Sequence, residues 1–83
     1  MMTGFITLDD ETEIVHSEMK KGGRVKVYVE KPDAIDGFHH MTCWLPDFEI
    51  TEVYKLSDEE VSYFMMLIRA NADQIIEASQ QDL

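Results

Sequence analysis

The sequence predicts an α+β fold: an antiparallel β-meander of about four strands followed by one long C-terminal helix packed on one sheet face. Three observations carry this reading. Residues 57–79 keep helical spacing behind a strong start signal, residues 24–30 alternate apolar and polar side chains, and a Gly-Gly pair separates two alternating runs. The strands are expected at about 13–19, 24–30, 38–45 and 48–55, and the helix at about 58–79, all in one domain covering residues 1–83.

Residues 3–12 are the least defined. Phe5-Ile6-Thr7-Leu8 fits a short edge strand, and Asp9 to Thr12 is acidic and turn-like. From Glu13 to Met19 the chain alternates, with Ile14 and His16 pointing one way and Val15 and Ser17 the other. Gly22-Gly23 supplies the positive φ of a tight hairpin turn. Val25, Val27 and Val29 then share one face while Lys26, Tyr28 and Glu30 take the other, the pattern of a strand with one buried side. Lys31 to Gly37 reads as a loop in which Pro32 ends the strand. Phe38 to Leu45 is the next strand, Leu45-Pro46-Asp47-Phe48 a turn, and Phe48 to Lys55 a strand rich in β-formers.

The helix begins with a capping box. The Ser57 hydroxyl can accept from the Glu60 N–H while the Glu60 carboxylate reaches back to the Ser57 N–H. Leu56 and Val61 have staple spacing, and Asp58, Glu59 and Glu60 put negative charge at the positive end of the helix dipole. Val61, Phe64, Met65, Ile68, Ala72, Ile75 and Ile76 form one stripe for the core. Tyr63, Met66, Leu67 and Ala70 fall on the opposite side, and beyond them that side turns polar with Asp73, Gln74 and Glu77. A second apolar face is covered either by the N-terminal segment or by a partner, and a chain this short has little to spare for a second layer. Tyr63, Met66, Leu67 and Ala70 are therefore the candidate interaction residues, for a second copy or for another protein.

Composition narrows the classes. Hydrophobic residues make up 45% of the chain, which suits a globular domain and not a disordered one. Cys43 is the single cysteine, so no internal disulfide framework can form. The first residues lack a basic region and a long apolar run, so no secretory signal and no membrane span are expected, and a cytoplasmic location is. The net charge of −10 opposes non-specific binding to nucleic-acid backbones. Lys20, Lys21, Arg24, Lys26 and Lys31 stand against Glu30 alone in the central hairpin, the one place where a nucleic-acid or anion contact could form. Lysines that protect a sheet edge explain the same residues.

His39, His40 and Trp44 are candidates for a small-ligand or metal site on the Phe38–Leu45 strand, the alternative to an interaction protein. Adjacent strand residues point to opposite faces, so His39 and His40 cannot ligate one ion, and His39 and Cys43 are about 13 Å apart at strand rise. Phe38, His40, Thr42 and Trp44 share a face, which becomes an exposed aromatic strip if the helix covers the Met41, Cys43 and Leu45 side. No nucleophile–base arrangement, phosphate-cradling loop or zinc-binding spacing is present, so no enzyme activity, cofactor or metal is expected.

The run Val25-Lys26-Val27-Tyr28-Val29-Glu30, then Gly37-Phe38-His39-His40, a second hairpin and a terminal helix with an acidic start resembles in layout a family of small prokaryotic proteins of unknown function, some encoded beside toxin–antitoxin genes. That family has a strand, a loop ending in Pro-His-Phe-His, more strand and a terminal helix. The resemblance covers about residues 24–79. Here the histidines are adjacent and the proline is absent, so no functional residue is carried over. The resemblance implies an interaction protein of a small operon.

Overall fold

The computed structural model describes residues 2–80 of the 83-residue chain. Five strands precede one helix: β1 (Met2–Thr7), β2 (Glu13–Ser17), β3 (Val25–Asp33), β4 (Gly37–Leu45), β5 (Glu49–Tyr54) and α1 (Asp58–Gln80). The strands form one antiparallel sheet in chain order, β1-β2-β3-β4-β5. The fold is thus an α+β meander with a C-terminal helix. It has five strands where the sequence suggested about four, because residues 2–7 pair with β2 across a register shift between Gly4 and Ile6.

The β2–β3 turn forms as its glycines require. Gly22 and Gly23 take φ values of 94° and 81°, and the Lys20 N–H donates to the Arg24 carbonyl at 2.7 Å. The β3–β4 connection is shorter than expected. β3 continues through Lys31, Pro32 and Asp33, and Pro32 pairs with Phe38. The pairing of β2 with β3 ends at Glu13 opposite Glu30. Beyond that point one side of β3 is free, and there a proline's missing N–H costs no ladder bond. The turn itself is closed by the Asp33 side chain, whose Oδ1 accepts from the N–H groups of Ile35 and Asp36 at 2.9 and 3.0 Å. Gly37 completes it at φ 85°.

The core lies between α1 and one sheet face. Val25, Val27 and Val29 of β3, Met41, Cys43 and Leu45 of β4, and Ile14 of β2 are buried against Phe64, Met65, Ile68, Ala72 and Ile75 of α1. Alternation explains the set: cross-strand partners such as Val27 and Cys43 share a face, so one row of side chains from each strand meets the helix stripe. His16 belongs to this row as well. It is buried, donates its Nδ1–H to the Ser17 carbonyl at 2.8 Å, and meets the Phe5 ring edge-on.

Both ends of α1 are fastened. The Ser57 N–H donates to Glu60 Oε1 at 3.0 Å and the Glu60 N–H to Ser57 Oγ at 3.1 Å, the expected capping box. Lys31 of β3 forms an ion pair with Glu60. At the far end the Met19 N–H donates to the Ser79 carbonyl at 3.2 Å. Among the described residues, no helix is long and apolar enough to cross a membrane.

Candidate functional site

The helix covers the Met41, Cys43 and Leu45 side, so the other face of the sheet has no helical layer. Its aromatic residues engage one another. His40 stacks on Tyr54 with ring centroids 5.0 Å apart and lies 5.6 Å from the Tyr28 ring, so both its faces are occupied. His40 Nδ1 is buried without a hydrogen bond. Glu52 Oε1 lies 3.4 Å from it, in electrostatic range but not aligned for donation. Trp44 is covered by the Arg24 guanidinium, 4.9 Å from the ring centroid. Asp47 and Glu49 hold that guanidinium at 3.0 and 2.8 Å. Burial raises the Tyr28 phenol above its ordinary value, and the Glu30 and Glu52 carboxylates add to the shift. His40, Tyr28 and Trp44 thus form a packed ladder under negative potential, while Phe38 and Tyr54 at its end stay 50% and 42% exposed.

His39 lies on the opposite side from His40, as strand alternation requires. Its Nε2 is 3.0 Å from Asp36 Oδ2 and 3.7 Å from Asp33 Oδ2. These three residues bring ligand atoms within 4.8 Å of one another. Sequence reasoning placed His39 without this pair. The signal was the spacing Asp33-x-x-Asp36-Gly37-x-His39, which a tight hairpin folds back on itself. A cation is already in place: Lys55 Nζ sits 2.9 Å from Asp36 Oδ1. Lys55 and then His39 hold the Asp36 carboxyl below its ordinary value. The cluster reads as an ion-paired clasp joining the β3–β4 turn to the end of β5.

The basic hairpin is less basic than its sequence. Lys20 pairs with Glu18 at 3.1 Å, Arg24 with Asp47 and Glu49, and Lys31 with Glu60. Lys21 is exposed and Lys26 half-buried at the edge of the ladder.

The outer side of α1 remains bare. Tyr63 is 47% exposed and Met66 57%, and Ala70 is exposed between them and the polar end. The N-terminal segment does not fold over them, because residues 2–7 are spent in β1. The end of β1 and the connection that follows it approach from one side, where Thr7, Leu8, Asp9 and Asp10 line a shallow cleft with Tyr63. Leu67 differs from its three companions. It is partly buried and packs against the core, so it supports the fold and sits at the margin of the bare strip. Exposed carboxylates flank the strip: Asp58 and Glu59 before it, Asp73 and Glu77 after it. Among the described residues none of these four has an ion-pair partner. Comparison of the chain with protein-family models, with curated proteins and with solved structures returned no match.

Proposed function

We propose that this protein is a small acidic interaction module that binds another protein through the outer face of α1. The supporting observation is the exposure of Tyr63 and Met66 on a helix whose opposite stripe is fully engaged in the core. Met and Tyr side chains exposed together are what adaptable binding surfaces use. The surrounding charge favours a basic partner over a second copy. Two antiparallel copies of α1 crossing between Met66 and Ala70 would bring Glu77 of one against Asp58 and Glu59 of the other, and like charges at close range disfavour that contact. The ligand-binding alternative on the Phe38–Leu45 strand has less support, since the His40 and Trp44 rings are already stacked.

Affinity capture from the source cells tests the proposal, with Met66→Glu as the control. Met66 is exposed, so that change should alter stability by no more than about 0.5 kcal/mol. Leu67→Glu is the wrong control, because it would bury a charge at the core margin. One stoichiometric partner, rich in lysine and arginine and lost with Met66→Glu, is the expected result. Equal capture by both proteins would remove the outer face of α1 from consideration.

A further inference from the structure

We propose that α1 and β5 form a seat for a single basic amphipathic helix of the partner, lying beside α1 over the uncovered flank of the sheet. This rests on the reading of the protein as an interaction module and adds which surface the partner fills and with what element.

The layer above the sheet is half filled. α1 crosses β2, β3 and β4. Five strands at about 4.8 Å spacing put the outer strand axes about 19 Å apart, whereas a helix is about 10 Å across. On the β1 side the chain fills the gap with its own residues: Phe5, Ile6 and Leu8 are partly buried and pack against the core. On the β5 side Phe48 and Leu56 do this only at the two ends of the strand, and its middle is left open. Ile50 pairs with Cys43 and Val53 with Met41, both core-facing, so Ile50 and Val53 point to the helix-bearing side. They are nevertheless 41% and 46% exposed.

The spacing fits a helix. α1 is centred on β3, and β5 lies two strands away, about 9.6 Å at 4.8 Å per strand. Packed helices keep their axes about 8–10 Å apart. The wall of the seat comes from α1 itself. Arg69 stacks on Phe48 in the β4–β5 turn at 4.3 Å, which identifies the flank of α1 that faces β5. At about 100° per residue, Asp58, Ser62 and Asp73 lie within about 40° of Arg69 on that flank, and Met66 stands at its outer margin. The seat therefore has an apolar floor of Ile50 and Val53, a wall in which Arg69 is held over Phe48 between the carboxylates of Asp58 and Asp73, and Met66 at its upper rim.

A second copy fits less well. Pairing β5 with β5 of another copy would set the two α1 axes five strand spacings apart, about 24 Å, and leave the floor uncovered between them. It would also join two chains of charge −10. A helix with apolar residues on one side and lysines on the other satisfies both the floor and the rim.

The test is methyl NMR on the full chain, following Ile, Val and Met signals. The probes are two peptides of about twenty residues, long enough to hold a helix: one with a leucine face and a lysine face, the other with glutamates in place of the lysines. The lysine peptide should shift Ile50, Val53 and Met66, the glutamate peptide should not, and added salt should weaken the binding. Val53→Asp should lower the affinity about tenfold, and Val53→Ser, a milder change checked by its melting curve, should lower it in the same direction. Tyr63→Ser, on the far side of Met66 from Arg69, should lower the affinity less than either Val53 variant does. Loss with Tyr63→Ser but not with either Val53 variant would overturn the seat and leave the outer-face reading standing. Failure of the peptide to shift Ile50 and Val53 would overturn the seat, and insensitivity to every one of these variants and to Met66→Glu would remove both readings. Concentration-dependent shifts at Ile50 and Val53 without peptide would make a second copy the occupant and overturn the proposal.

Discussion

Cys43 shows how position decides what a reactive group can do. It is fully buried between β4 and α1, and burial pushes its thiol up to about 11. The thiolate, the reactive form, is scarce at neutral pH, and reagents cannot reach the sulfur. The folded protein should therefore react with a thiol-specific reagent only at its rate of opening, with full reaction in denaturant, measured by absorbance of the released product. Glu60 carries a different lesson. Lys31, then the Ser57 N–H, hold its carboxyl below the ordinary value near 4.5. A carboxylate lowered in the fold stabilises it above the unfolded-state value, and that stability is lost as pH falls through the folded-state value. Denaturant titrations from pH 6 towards pH 3 should show stability declining below about 4.5. Glu60→Gln should be less stable at pH 6 and show a flatter decline. An identical slope in both proteins would mean that Glu60 does not report on the fold.

At the scale of elements, α1 is the part where local rules agree. The cap, the staple residues, the acidic first turn and the apolar stripe all act within a few residues, and all are present in the structure. Ser57→Ala leaves the Glu60 N–H without its acceptor and should cost about 1 kcal/mol. In a domain of this size that corresponds to a fall of about 4–8 °C in melting temperature. A variant melting with the wild type would show that the box adds nothing beyond the packed stripe. The valine alternation of β3 and the Gly-Gly turn were legible for the same reason. What was not legible depends on distant partners. Pro32 looked like a strand end, but whether its missing N–H matters depends on where β2 stops. The side of the sheet that α1 covers could not be read from β4 alone, since both of its faces carry apolar residues. Leu67 matched Tyr63 and Met66 by angle, yet the core reaches far enough round α1 to take it in. The Asp33, Asp36 and His39 cluster depended on a hairpin tighter than the sequence suggested.

For the molecule as a whole, one layer of sheet and one helix leave two surfaces of different character. The open sheet face is held by stacked rings and ion pairs around His40 and Trp44, with Phe38 and Tyr54 exposed at one end. The side bearing Met66, Ile50 and Val53 has apolar residues without cover and carboxylates without partners. The excess of negative charge bears on what can approach that side, and how fast, more than on the fold itself. The central claim is that this side meets another protein. A photo-crosslinking residue placed at position 66 in living cells tests it most directly, with position 26 on the open sheet face as the comparison. The account predicts one discrete heavier species from position 66, containing a partner other than this chain, and none from position 26. No adduct from position 66, or the same adducts from both positions, would contradict it.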